Sequence, residues 1–475
     1  MASRLVGRFS FSCLMLGFEL LDFSEFLLVF ALVGLFAMEI LQAFRSRSFL
    51  QVYRPTIFVA VILSYYVLFA PLQSLALGEG LFYRGLDHRD VVIWGWLGAL
   101  LFYGFLLLGF YFKTGLPRQR RATVHVSSER IYRLGNRLCQ IGLLMFVLVT
   151  GWRVLALLNP FFANQYFESR SSETGIDVGG LSNYFLYSIN LLIPGILLQV
   201  AALVKQRKHF WSVISWLFIA SSVYISLGFR YRIVLLIVPI FLLWYLARLK
   251  RPNISILAIF LVGFILFNGF IGLTRTYGKG LDFSRLDQQL NLFSLTNTGV
   301  SETGVFLASS GVMAETPGPG SPFVGLQPLV AAVLFPIPRA IFPSKPDASY
   351  YQNALHSFYG GRVYIQGAVI INYAEYYLVA GFPSLILISF FLGLMLRKLW
   401  NWFLVRSGEP LAQCVYLLTA SYLYVVVSRG YFPQVLFLFV FSVFPLFWLY
   451  RINSKPVNVI AVSSVLSDHS SLPRG

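Results

Sequence analysis

Charge is scarce in this chain: Asp, Glu, Lys and Arg make up 12% of its 475 residues, where soluble domains carry about 25%. With 57% hydrophobic residues and a mean hydropathy of +0.72, a soluble fold of this length is excluded. Cysteine is almost missing. Cys13, Cys139 and Cys414 lie far apart, in or beside apolar stretches. They form no CxxC and no metal-ligand spacing, so they read as small buried hydrophobes. No GxxxxGK[ST], HExxH or GxSxG motif occurs, which removes the usual signatures of nucleotide hydrolysis, zinc proteolysis and serine-hydrolase chemistry. Internal repeats and low-complexity tracts are absent too. The first apolar stretch has no small-residue cleavage site after it, so it reads as a retained membrane segment.

Long apolar runs are what the chain has in abundance. A spanning helix needs about 20 mostly apolar residues. That length predicts spans at Ser24–Ala43, Thr56–Gly78, Val91–Phe112, Leu138–Leu158, Ser182–Leu203 and Phe210–Gly228. Further spans are expected at Ile233–Ala247, Ile254–Leu273, Phe382–Leu396, Pro410–Ser428 and Tyr431–Tyr450. The expectation is an all-α polytopic membrane protein of about eleven spans, within a range of ten to thirteen. Residues 1–273 hold the first eight spans, 274–381 a large and partly helical outward loop, 382–450 the last three spans, and 451–475 a tail.

Orientation follows from the loops. One set is short and basic: Arg45, Arg47 and Arg54; Lys113 to Arg137; Lys205 to Lys208; Arg248 to Arg251; Arg397, Lys398 and Arg406; and the tail with Arg451 and Lys455. These alternate with the spans, so the positive-inside rule places them in the cytoplasm and the N-terminus outside. The same distribution accounts for the net charge of +18 without nucleic acid, since no basic patch coincides with a soluble domain. The abundant aromatics, 46 Phe and 26 Tyr among them, suit membrane interfaces.

Loops beyond about 12–15 residues are usually functional or disordered, and segment 274–381 is too apolar and aromatic for disorder. Its apolar piece Phe323–Phe335, ended by Pro336 and Pro338, predicts a re-entrant or interfacial helix. A second piece, Tyr364–Val379, leads into the ninth span.

Candidate chemistry lies on the outward side. Arg153 sits in the outer part of the fourth span, Arg230 and Arg232 in a short turn, Arg275 after span eight, and Arg429 in a tight Ser-Arg-Gly turn. Arginine at a helix centre costs about 2.5–3.5 kcal/mol to insert and is disfavoured outside. Snorkelling to headgroups explains any one of them; the set together points to an anion site, because the guanidinium fork pairs bidentately with phosphate oxygens. Arg339 and Lys345 stand on a stretch stiffened by Pro338, Pro343 and Pro346, and Arg362 follows Gly360-Gly361. Glu375, among tyrosines near the membrane, suits either a structural ion pair or a general base. His356 is a further base candidate and His88 a weaker one. Asp87-His88-Arg89-Asp90 has the composition of a metal cluster, but its arginine competes for the carboxylates, so no metal and no cofactor is expected.

The Gly-x-Arg turn at Arg230, the Pro-Arg…Pro-x-Lys-Pro stretch of Arg339 and Lys345, the Glu375…Gly381 helix opening a span, and the Arg429-Gly430 turn together have a familiar look. With the helix count and the late outward loop, the chain resembles the bacterial oligosaccharide repeat-unit polymerases, or O-antigen polymerases. Arg232 has no counterpart in that pattern, and His356 is closer to the O-antigen ligases. The resemblance implies a metal-independent glycosyltransferase of the inner membrane with its active site facing the periplasm. It would transfer glycan from undecaprenyl pyrophosphate to the next lipid-linked repeat unit in O-antigen, capsule or exopolysaccharide synthesis. A flippase and a chain-length regulator are the partners it implies. An O-antigen ligase is the nearest alternative and differs in which lipid-linked species accumulates when the protein is lost. A polysaccharide or ion transporter would show midplane charges and repeat symmetry, and a purely structural scaffold leaves the outward arginines unexplained.

Overall fold

The computed structural model describes residues 17–77, 81–83, 86–112, 126–159, 182–228, 230–276, 280–281, 303–318, 320–335, 337, 341–342, 350–358 and 369–453. Among these, eight helices are long and apolar enough to cross a membrane. They are α1 (Phe23–Arg45), α2 (Pro55–Ala76), α3 (Arg89–Tyr111), α4 (Ser128–Thr150), α5 (Phe185–Gln206), α6 (Phe210–Leu227) and, later in the chain, α13 (Phe382–Arg406) and α14 (Pro410–Ser428). Between the two groups run α7 (Arg230–Leu246), α8 (Ile254–Thr274), α9 (Thr303–Glu315), α10 (Gln327–Leu334), α11 (Tyr350–Phe358) and α12 (Asn372–Ala380). The last described elements are α15 (Phe432–Ser442) and α16 (Phe444–Asn453). Apart from two pairings of two-residue strands, Phe82–Tyr83 with Leu86–Asp87 and Arg275–Thr276 with Gly280–Leu281, the described fold is helical. The protein is a multi-pass α-helical membrane protein.

Several expected spans change shape for identifiable reasons. The helix α7 has 17 residues with Pro239 inside it, a length of about 25 Å against a hydrocarbon core of about 30 Å. The expected last span is broken: α15 and α16 meet at 42°, where Pro445 lacks the N–H that would bond Phe441 and its ring crowds that carbonyl. With that pair taken as one, nine elements have the length to cross. The fourth span is displaced. It begins at Ser128, capped by the Ser127 side chain, which accepts from the Arg130 N–H at 3.3 Å. It stops at Gly151, whose φ of 57° leaves the helical region. Arg153 therefore falls in the turn beyond the helix rather than inside the span.

A proline also shapes α2. Pro71 cannot donate to the Val67 carbonyl, and the helix widens into a π-helical stretch over Ser64–Phe69 just before it. The Val67 carbonyl is taken instead by the indole N–H of Trp96 at 2.9 Å, so α2 and α3 are tied by the bond that Pro71 vacates. The helices α3 and α13 run side by side through two glycines. A Cβ on Gly109 would overlap the Phe390 carbonyl, and one on Gly393 the Leu106 carbonyl. Close backbone approach through small residues is the packing that membranes favour.

The helices α2, α5 and α14 are mostly enclosed, whereas α1, α4 and α13 present much of their surface outward. Four short helices from the long loop pack on the bundle, α9 against α3, α10 against α15, α11 against α9 and α12 against α13. The sequence predicts two helical pieces there; the structure has α9, α10, α11 and α12. Buried α9 packs Phe306 and Ser310 against Gly95 of α3. The expected helix at Phe323–Phe335 is α10, confined to Gln327–Leu334, and the expected Tyr364–Val379 is α12, starting only at Asn372. Residues 359–368 lie outside the described residues.

Candidate functional site

The chain reverses after Ser428, where Arg429 and Tyr431 are extended and α14 gives way to α15. Tyr416 of α14 bonds the Tyr53 carbonyl, and the hydroxyls of Tyr424 and Tyr66 meet at 2.9 Å, so α14 and α2 run parallel. Ten residues of α2 follow Tyr66 but only four of α14 follow Tyr424. The Arg429 turn accordingly sits about 7 Å inside the end of α2. The Gly430 N–H donates to the Ile370 carbonyl at 2.6 Å. A Cβ on Gly430 would stand 2.9 Å from the Ile371 oxygen, so glycine lets this turn dock on the lead-in to α12.

That docking brings Glu375 to the turn. Its Oε1 accepts the Phe432 N–H at 2.8 Å, at the first turn of α15. The amides at a helix start lack intrahelical acceptors and carry partial positive charge, so a carboxylate is well placed there. Oε1 also accepts the Tyr350 hydroxyl from α11. Glu375 is 3% exposed. Burial pushes its carboxyl up to about 7, against the hydrogen bonds from Tyr350 and Phe432 that pull it down. The Tyr350 phenol is raised by burial and by the Glu375 charge, and so stays the donor. Of the two readings of Glu375 from sequence, the Arg ion pair is absent among the described residues; the carboxylate is held by an amide and a phenol.

Two arginines meet at one tyrosine. Arg232, 5% exposed on the first turn of α7, holds its guanidinium 5.7 Å from the Tyr231 ring centroid and 5.8 Å from that of Tyr224. Arg429 comes to the same Tyr231 ring at 4.7 Å. Ring faces attract cations, and Tyr231 is a wedge against which both guanidinium groups rest. The Tyr187 hydroxyl lies in the field of both arginines. Phe335, just past α10, packs on Tyr431 and Phe437 at 6.4 and 5.3 Å, and Tyr350 on Tyr431 at 6.0 Å. The result is a cationic floor with an aromatic wall and one buried carboxylate, gathered around the Arg429–Phe432 turn.

Arg232 and Arg429 thus share the Tyr231 ring, and Glu375 joins the following turn through the Phe432 amide. Arg230 is on the same first turn of α7. His356 is exposed on α11 and, among the described residues, bonds none of these three. Arg153 and Arg275 are placed by backbone alone, the latter opposite Leu281. Arg339, Lys345 and Arg362 lie outside the described residues. Set against family models, curated proteins and solved structures, the chain matches none. No group of three His, Cys, Asp or Glu side chains suited to a metal occurs among the described residues. Arg89, from the Asp87–Asp90 cluster, instead pairs with Glu25 of α1 at 2.6 Å. Sequence reasoning missed Tyr231, Tyr350 and Tyr187. For Tyr231 a signal existed: an aromatic between two arginines at a helix start.

Proposed function

We propose that this protein is a glycosyltransferase that joins lipid-linked oligosaccharide repeat units, a polymerase of the O-antigen, capsule or exopolysaccharide type. The observation that carries the reading is the Tyr231 wedge: two guanidinium groups on one ring, beside a turn whose next helix start is capped by a buried carboxylate. In the reaction, a hydroxyl of the acceptor sugar attacks the anomeric carbon of the donor glycan. The bond from that carbon to the pyrophosphate oxygen breaks, and the pyrophosphate leaves with its lipid. Arg232 and Arg429 stabilise the charge growing on the leaving group, a role in which preorganised cations outperform water. Glu375 takes the proton of the attacking hydroxyl. A base that titrates near 7 is matched to that task at neutral pH.

The helix α10 supports a lipid-linked substrate. Leu326, Leu329, Val330 and Val333 are all exposed, spaced by three, one and three residues along one apolar face. That face suits hydrocarbon rather than water, and the same segment ends in Phe335 against Tyr431. An isoprenoid tail lying along α10 would bring its diphosphate to the arginines from the side. The site would face the periplasm of a bacterial inner membrane, opposite the basic loops. A flippase would supply its substrate and a chain-length regulator would act on its product.

A deletion strain carrying Arg429→Ala tests the reading. The expected result is single repeat units on the lipid carrier with the variant protein still in the membrane. Wild-type chain-length ladders from that strain would overturn it, and full-length polymer accumulating on the carrier would assign the ligase step instead.

A further inference from the structure

The opposite, basic end of the bundle carries a second polar assembly that the catalytic reading does not use. Glu39 is fully buried on the inner stripe of α1. Its Oε1 accepts Thr56 Oγ1 at 2.5 Å and Arg54 Nη1 at 3.2 Å, and its Oε2 accepts the Tyr111 hydroxyl at 2.7 Å. Arg54 is fixed further by Gln51 Oε1 at 2.5 Å and Gln42 Oε1 at 3.4 Å. Arg251 reaches across to the end of α1, donating to the Phe44 carbonyl at 2.9 Å and to the Ser46 carbonyl. Three guanidinium groups, those of Arg45, Arg54 and Arg251, therefore surround one end of α1 with a single described carboxylate, Glu39. Glu39 is committed to Arg54, and no described carboxylate lies within ion-pair distance of Arg45.

A groove of about 660 Å³ opens here, lined by Met38, Leu41, Gln42, Arg45, Gln51 and Arg54. Its two ends differ in chemistry. Arg45, Gln42 and Gln51 supply donors at the helix end. Met38 and Leu41, both exposed, continue the groove toward the middle of α1. Residues 38, 41 and 45 fall on one helix face, so a charge and an apolar strip are aligned along the bundle axis. Excess positive charge at a helix end beside outward-facing hydrocarbon is complementary to one class of molecule. An acyl chain covers the strip while a phosphodiester meets the guanidinium fork.

We propose that this groove is a binding site for an anionic phospholipid of the leaflet at the basic end, with Arg45 as its phosphate ligand and Arg54 as the fixed floor. The inference does not depend on the glycosyltransferase reading. Arg54 is unsuitable for a first test, because its loss strands Glu39 without its cation; Arg45 is exposed and free of that burden.

The full-length protein, purified in mild detergent, is mixed with equal amounts of phosphatidylglycerol and phosphatidylcholine and examined by native mass spectrometry. The wild type is expected to retain phosphatidylglycerol over phosphatidylcholine, whose choline ammonium offsets its phosphodiester charge, by roughly ten-fold. Arg45→Gln should abolish the preference and Arg45→Lys should keep part of it. Lys398→Gln, which removes an exposed cation of α13 that does not line the groove, should leave it intact. Equal retention of the two lipids, an unchanged preference in Arg45→Gln, or the same loss in Lys398→Gln would each overturn the site. Displacement of the lipid by millimolar inorganic phosphate would overturn the lipid assignment in favour of a free anion.

Discussion

At the scale of single residues, Glu375 is the most exposed to test. Its carboxyl is pushed from 4.5 up to about 7 by burial. A group that holds its proton more tightly folded than unfolded adds stability below about pH 4.5, and that stability is lost as pH rises through about 7. Glu375→Gln should therefore melt at a temperature less dependent on pH across that window than the wild type, while losing transfer activity by about 10²–10⁴-fold. Thermal unfolding at a series of pH values and a chain-length assay check the two halves separately. Tyr350→Phe removes a bond that pulls the carboxyl down, so the ascending limb of the pH–rate profile should move to higher pH with the protein still active. A limb at the wild-type position would mean that Glu375 is not the group titrating. Arg232→Ala and Arg429→Ala should each lower transfer by about 10²–10³-fold, and the double variant by less than the product, because the two act on one leaving group.

The scale of elements explains why those residues meet. The α3–α13 pair rests on Gly109 and Gly393, where neither helix has room for a Cβ. Gly393→Val should destabilise by about 1–3 kcal/mol, read as a lower melting temperature in detergent. Gly34→Ala faces open space and should be neutral or gain up to about 1 kcal/mol. Equal melting of the two variants would mean that this contact is not what holds α13. Legibility differed by element. Spans with 18 or more apolar residues were evident, because hydrocarbon thickness imposes a length that any reader of the chain can apply. The short helices were not. Thr303–Glu315 is buried by its neighbours on all sides and shows no amphipathic period to find, and α11 is a nine-residue element whose place is set by Tyr350 reaching Glu375.

At the scale of the whole molecule, the arrangement has two ends of unlike character: basic loops around Arg54, Arg251 and Arg397 at one, the Tyr231 wedge at the other. In the proposed orientation, the positive-inside rule puts the basic end in the cytoplasm. A cysteine placed by Ser48→Cys should react with a membrane-impermeant thiol reagent only in broken cells, and one placed by His356→Cys in cells whose outer envelope alone is permeable. The reverse pattern would put the arginine site in the cytoplasm and overturn the proposed transfer on the outward face.

The apolar runs, the basic loops that alternate with them and the arginines at the opposite helix ends are properties of the chain alone, because transfer of a helix into lipid is decided by its own composition. Which arginines share a site is not such a property. Arg232 and Arg429 are separated by almost two hundred residues, and Glu375 joins them only because Gly430 lets one backbone lie against another. Such convergence depends on packing between helices whose lipid-facing and protein-facing sides look alike in composition, so it is decided by the folded bundle.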